Sequence, residues 1–254
     1  MIEQIFSDKN LKVKALLQRR DDLFIFEGEK LVSDLLGKNL NPLYLIVETD
    51  KIEQFSSLIP AGIRVWVVSE RVMRKISVMK SSPSVIAVFE ELPSGPCIYN
   101  EKVIFALDGI QDPGNLGTIF RCAAAFGIGG IALTGECIKP TNTKFLRAAQ
   151  DSVFSVSTVK FKFLTDLITA AVEKNFNIYL TSSHRQERTS LIEEIKLPAV
   201  IVLGNEGSGI GEEFFKRFSS IAVEQTGEVE SLNAGITGCI LMNRISVHFG
   251  LMNR

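Results

Sequence analysis

The sequence predicts an α/β protein of two domains, with parallel strands in the larger domain covered by helices. Three observations predict it. Short, almost continuously apolar runs recur through the later two thirds of the chain, as strands buried on both faces require. Helical stretches alternate with them. One Pro- and Gly-rich segment, ELPSGPCIYNE from Glu91 to Glu101, breaks the pattern and sets a smaller first domain, residues 1–95, apart from a second, residues 96–254.

In the first domain, Lys9 to Arg20 reads as a helix, with Leu11, Val13, Leu16 and Leu17 apolar between basic positions. Leu31, Leu35 and Leu36 mark a second. Leu43–Val47, Arg64–Val68 and Ser84–Phe89 are β-rich runs. Beyond the boundary, strands are expected at Lys102–Leu107, Gly130–Leu133, Asn177–Thr181, Ala199–Leu203 and Ser220–Val223. Helices are expected at Leu116–Phe126, Leu164–Lys174 and Glu212–Arg217, and a last one from Leu232 to about Phe249. Gly127 stops the first of these, and Gly127-Ile-Gly-Gly130 is an ordinary turn back into a strand. In the last helix Leu232, Ile236, Cys239 and Ile240 form an apolar face, for its own core or for a partner chain.

Composition narrows the class. The 254 residues are 46% hydrophobic and 22% charged, as in a soluble globular protein rather than a disordered one. The net charge of −1 argues against an overall basic nucleic-acid binder but leaves local patches open. Lys9, Lys12, Lys14, Arg19 and Arg20 form one basic run, and Arg71, Arg74, Lys75 and Lys80 another. Each reads equally as a solvated face or as a phosphate-contacting surface. Cys97, Cys122, Cys137 and Cys239 show no zinc spacing and read as free thiols in a reducing compartment. With only His184 and His248 besides, no metal site is expected. Neither a signal peptide nor an apolar membrane span is seen, so a cytoplasmic protein is expected.

Three polar, glycine-rich segments follow strand ends, where open α/β sheets bind ligands. The first is LDGIQDPGNLGTIFR, Leu107 to Arg121. Asn115 stands at an expected helix cap, and Arg121 lies inside the helix; a plain cap and a surface arginine are the alternative readings. The second is IVLGNEGSGI, Ile201 to Ile210, with Glu206 among Gly204, Gly207 and Gly209. It lacks the GK[ST] of a phosphate loop and the GxGxxG of a dinucleotide site. The third is GEVESLNAGI, Gly227 to Ile236, where Ser231 and Asn233 precede a helix and Ser231 is a candidate cap.

In this order and spacing the three segments resemble the SpoU branch of the knotted SPOUT methyltransferases, which methylate ribose 2′-oxygens in ribosomal and transfer RNA. DPGNLGTIFRCAAAFG is similar to the family's first motif, VLGNEGSGI to its second and ESLNAG to the core of its third. FEGEKLV at Phe26–Val32 and SSPSVIAVF at Ser81–Phe89 are similar to the accessory RNA-binding domain of the ribosomal-RNA members, whose fold is like a ribosomal protein.

The resemblance implies a trefoil-knot methyltransferase domain, S-adenosylmethionine as methyl donor, an RNA substrate, ribosomal more than transfer RNA, and a homodimer. It implies catalytic roles for Asn115, Arg121, Glu206, Ser231 and Asn233. Donor contacts fall to Leu203, Gly204, Gly207, Val223 and Leu232, and RNA contacts to Lys12, Lys14, Arg19 and Arg20. Arg121 would activate the hydroxyl or, more easily for a group of such high pKa, hold the RNA phosphate beside it. Val223-Glu-Gln225 stands where the family usually has an apolar-Pro-Met triplet, and Arg147-Ala-Ala-Gln-Asp151 replaces a usually smaller stretch. An inactive RNA-binding relative and a transfer-RNA enzyme are the alternatives.

Overall fold

The computed structural model describes residues 2–92, 97–182, 190–205, 207, 209–226, 228–229 and 231–252. It divides into two compact units. The first is Met1–Pro93 together with Pro140–Asp151; the second is Ser94–Lys139 and Ser152–Arg254.

In chain order the first stretch holds β1 (Ile2–Ile5), α1 (Leu11–Gln18), β2 (Phe24–Glu27), α2 (Glu29–Gly37), β3 (Tyr44–Glu48), α3 (Ile52–Phe55), β4 (Arg64–Val68), α4 (Glu70–Ile76) and β5 (Val85–Phe89). The remainder holds β6 (Val103–Asp108), α5 (Pro113–Ala125), β7 (Gly130–Thr134), α6 (Thr143–Ala149), β8 (Ser157–Lys160), α7 (Leu164–Glu173), β9 (Asn177–Ser182), β10 (Ala199–Gly204), α8 (Glu212–Phe215), β11 (Ser219–Ala222) and α9 (Ala234–Phe249).

The first unit is a mixed sheet in the order β1-β4-β3-β5-β2, with β5 antiparallel to both β3 and β2. Ile5, Val13, Leu16, Ile25, Ile46, Val68 and Met73 meet in one core cluster. Asn10 starts α1 by accepting from the Lys12 backbone amide at 2.8 Å, so the expected helix begins two residues later than Lys9. Beneath it lies an ion pair. Arg20 donates to Glu27 at 2.7 Å and to the Ile76 carbonyl at 2.5 Å, and Glu27 also accepts from Ser77 Oγ at 2.7 Å. Their side chains are only 14% and 1% exposed, so removing one partner strands a buried charge.

The later segment 140–151 joins this unit because α6 packs on β2, burying Phe145 and Leu146. Asn142 caps α6 by accepting from Lys144 and Phe145 amides. Along the chain the two compact units interleave, since 140–151 returns to the first from within the span of the second. Gln150 closes α6 at φ +55°, inside the Arg147–Asp151 segment.

The second unit is an all-parallel sheet ordered β11-β9-β10-β6-β7-β8. Val103 to Leu107 and Ala199 to Leu203 are buried throughout, which explains their unbroken apolar sequence. The register sets Gly204 of β10 beside Asp108 of β6, and Asp108 beside Thr134 of β7. Three strands therefore end at one level, the place where loops gather into a site.

Candidate functional site

Helix α5 starts earlier than expected. Asp112 is its cap, with its carboxylate accepting from the Asn115 amide at 2.7 Å, and Pro113 takes the first helical position. Proline fits there because its missing N–H has no helical partner to lose. Asn115 is therefore not the cap; it lies in the first turn, half-buried, with its side chain released for other contacts. Leu116, Ile119, Phe120 and Ala123 form the buried face, and Arg121 is exposed.

Helix α9 starts at Ala234, and its cap is Asn233 rather than Ser231, through acceptance from the Ile236 amide at 3.2 Å. The same side chain donates from Nδ2 to Asn115 Oδ1 at 3.0 Å. The two helix starts can meet because α9 opens on Ala234 and Gly235: a Cβ at Gly235 would lie 3.2 Å from Asn115 Oδ1. At Gly238 a Cβ would lie 3.3 Å from both Ile119 and Leu203. These two glycines are small for close helix packing, a role the sequence reading did not assign. Farther along, Ser246 Oγ donates to the Phe126 carbonyl at 2.5 Å.

The cysteines differ from expectation. Cys122 of α5 and Cys239 of α9 form a disulfide, with their Cα atoms 5.5 Å apart. They are 117 residues apart in sequence, so spacing alone carried no signal for the pairing. Cys97 is free and exposed, and only Cys137 is a buried free thiol. The apolar face read into the last helix also differs. Ala234, Gly235, Gly238, Leu241, Met242, Ile245 and Ser246 are the buried residues, while Ile236 is 53% exposed and Cys239 and Ile240 are half-buried.

The loop after β10 folds tightly on itself. Asn205 and Gly209 form an antiparallel bridge, and Asn205 Oδ1 accepts from the Gly207 amide at 2.9 Å. A Cβ on Gly204 would stand 2.6 Å from the Gly209 carbonyl carbon, so glycine is required there. Gly207 is exposed and has room on the protein side, its nearest neighbour being Asn205 Oδ1 at 3.5 Å from a built Cβ. Gly109, at φ +70°, would carry a Cβ 2.9 Å from Asn205 Nδ2, so the loops after β6 and β10 touch. Thr134 Oγ1 donates to Asp108 Oδ1 at 2.6 Å on the other side.

Leu203 and Val223 are buried, Leu232 is half-buried, and Ser231 and Glu224 are exposed. Glu206 lies outside the described residues, as does His184. Gln225 Oε1 is buried with no hydrogen-bond partner among the described residues. A buried amide oxygen without a donor costs about 1–3 kcal/mol until one arrives, which suits a ligand-lined loop. Together with the glycine cradle at Gly204, it fits an adenosine-bearing donor held largely by backbone groups.

In the first unit, Lys12 and Lys14 on α1 and Arg19 at its C-terminal cap are exposed, whereas Arg20 is turned inward to Glu27. Among the described residues no three His, Cys, Asp or Glu side chains are grouped to hold a metal, and no helix is long and apolar enough to cross a membrane.

Residues 102–243 match the SpoU rRNA Methylase family, and residues 9–87 match the MRM3-like substrate binding domain. A 23S rRNA (guanosine(2553)-2′-O)-methyltransferase, RlmP of Bacillus subtilis (strain 168), is 29% identical over 95% of this chain and 98% of its own length. The crystal structure of an AdoMet-bound rRNA methyltransferase from Sinorhizobium meliloti superposes with a TM-score of 0.82 at 28% identity, over 97% of this chain and 98% of that one. The SpoU methyltransferase AviRb from Streptomyces viridochromogenes, with AdoMet, shares the fold at a TM-score of 0.76 and 17% identity, covering 96% and 95% of the two chains.

Proposed function

Because this chain belongs to the SpoU rRNA methylase family, we propose that it moves the methyl group of S-adenosylmethionine onto a ribose 2′-hydroxyl of ribosomal RNA. The observation that carries this reading is the meeting of the first and third motifs at the Asn115–Asn233 hydrogen bond.

The donor would be held by Leu203, Gly204, Gly207, Val223 and Leu232, with Gln225 Oε1 as an acceptor. When bound, it supplies an activated methyl on a sulfonium, so the protein needs mainly alignment and removal of the hydroxyl proton. Asn115 and Asn233 orient one another through complementary amide groups. Ser231 stands two residues before Asn233 in the same segment. Arg121, exposed and charged at neutral pH, suits the RNA phosphate next to the reacting ribose. Glu206 keeps its proposed catalytic role on family grounds alone, and the trefoil knot rests on the same grounds.

A homodimer completes the reading. Ile236 and Val247 are 53% and 61% exposed on α9, apolar surface that an isolated chain leaves in water. We place the partner there and the protein in the cytoplasm. The bases of the proposal in the first unit are Lys12, Lys14 and Arg19, which supply sequence-independent phosphate contacts. Mapping of ribose methylation in ribosomal and transfer RNA, with and without the gene, tests the function. Loss of one ribosomal 2′-O-methyl on deletion is expected; loss confined to transfer RNA, or to none, would overturn it.

A further inference from the structure

The first unit contains a cavity of about 370 Å³ that shares Lys12 and Arg19 with the proposed phosphate contacts but whose remaining lining the methyl-transfer reading does not use. Its floor is the sheet and its wall is one face of α1. Lys12, Ala15, Leu16 and Arg19 recur at the helical spacing of three and four, so they share that face. Glu3 of β1, Tyr44 at the head of β3, and Arg64 and Trp66 of β4 also line it, with Leu23, Leu43 and Val65 supplying apolar wall. The register places Tyr44 beside Arg64 and Glu3 beside Trp66. Sequence-distant residues are thus gathered by strand pairing.

The chemistry of the lining is specific. The rings of Tyr44 and Trp66 stack at 4.2 Å between centroids and 18° between planes. Around them stand three cations, Lys12, Arg19 and Arg64, against one carboxylate, Glu3. Lys12 is paired with Glu3, and Arg19 with Glu90 at 3.1 Å. Arg64 is exposed and takes part in no ion pair among the described residues. Burial pushes the Tyr44 hydroxyl up to about 12, with Arg19 and Arg64 pulling the other way.

We propose that this cavity receives one unstacked nucleotide of the RNA substrate, its base against Tyr44 and Trp66 and its phosphate toward Arg64 and Arg19. The volume lies in the range of small-ligand pockets, roughly 300–1,000 Å³, and excludes a base-paired helix. Tyr44 and Trp66 are only 7% and 9% exposed, so a base would meet the rims of the stacked pair with the cations around it; aromatic and basic side chains together are the means by which single-stranded RNA is recognised. The excess of positive lining charge matches the anion. The inference rests on the RNA methyltransferase reading for the identity of the ligand, not for the existence of the cavity.

Trp66 is the only tryptophan in the chain, so its fluorescence reports on this cavity alone. Full-length protein is titrated with a short oligouridylate, a short oligoadenylate and a fully paired RNA hairpin of equal phosphate count. Saturable quenching by a single strand, absent with the hairpin, is expected. Arg64→Gln, at an exposed position, should keep the thermal midpoint and weaken single-strand binding roughly tenfold, the size expected for one stacked, charge-assisted base. Equal quenching by the hairpin, no quenching at all, or unchanged affinity in folded Arg64→Gln would overturn the proposal. Donor titration on the same sample separates the two readings. Quenching without donor binding would sink the methyltransferase reading and leave the nucleotide pocket standing; methyl transfer without quenching would do the reverse.

Discussion

Asn233 donates from its side-chain nitrogen to the side-chain oxygen of Asn115 at 3.0 Å while its own oxygen caps α9. One amide thus fixes a helix start and the polarity of its neighbour. Asn233→Asp keeps the capping oxygen but deletes the donor, forcing Asn115 to present its other end. Methyl transfer is expected to fall at least about tenfold, with stability lost by less than about 1 kcal/mol, since a carboxylate caps as well as an amide. Turnover and thermal melts on one preparation decide this; near-normal turnover would show the pair is only structural.

Arg121 is exposed on α5 and carries no packing role in its own chain. Arg121→Ala should therefore melt like the parent and bind donor normally, yet lose turnover by roughly 100-fold or more, the usual scale for a transition-state contact. If dimers share sites, mixing Arg121→Ala with Asn233→Ala should restore activity from one intact site per mixed dimer. With subunit exchange verified, no recovery would place both residues in one chain's site.

The two loop glycines should behave differently. Gly204→Ala puts a methyl 2.6 Å from the Gly209 carbonyl carbon and must deform the loop, so donor affinity should drop steeply. Gly207→Val meets open space on the protein side, so the fold should persist while a backbone-lined donor is crowded. Calorimetric donor titration checks both. An unchanged constant for Gly204→Ala would show that this loop does not carry the donor.

Arg19 and Arg20 are neighbours with opposite fates. Arg19→Glu should lower RNA affinity and flatten its salt dependence with little effect on melting. Arg20→Ala leaves Glu27 buried without its cation and should cost about 3–5 kcal/mol of stability. Equal melting of the two variants would contradict the buried pairing.

The thiols sort themselves by chemistry. Under non-reducing conditions iodoacetamide should label Cys97 and spare Cys137, whose thiol is pushed up by burial despite the Ile110 amide 3.2 Å away. Reduction of Cys122–Cys239 should lower the melting midpoint, because a loop of this length removes up to about 5 kcal/mol of unfolded-state entropy. Mass mapping of alkylated peptides and paired melts test this; four equally reactive cysteines would rule the disulfide out.

Much of the larger sheet was legible because most of its strands, β8 apart, are short apolar runs. Val103–Asp108 and Ala199–Gly204 differ from expectation by one residue at the ends. Strands β1 and β2, at the sheet edges, and β8 escaped notice because four residues show too little periodicity to stand out. Helix α5 begins three residues before the expected Leu116, because proline is at home in a first helical position. Asn115, Arg121 and Asn233 could be named from motif spacing. Their geometry could not, since the Asn115–Asn233 contact spans 118 residues and depends on Gly235. Tyr44, Arg64 and Trp66 belong to no motif; only strand register unites them.

The packing of α6 on β2 has a consequence for how such a protein can be inherited and engineered. A gene segment ending at residue 95 would encode the first sheet without Phe145 and Leu146, which cover it. The first unit is thus not a cassette that recombination can lift out by its termini. Grafting its specificity onto another enzyme would require carrying residues 140–151 along, or repainting the β2 face with polar side chains. Two functions that look serial on the gene are bound to co-evolve, because a helix coded within one half finishes the interior of the other.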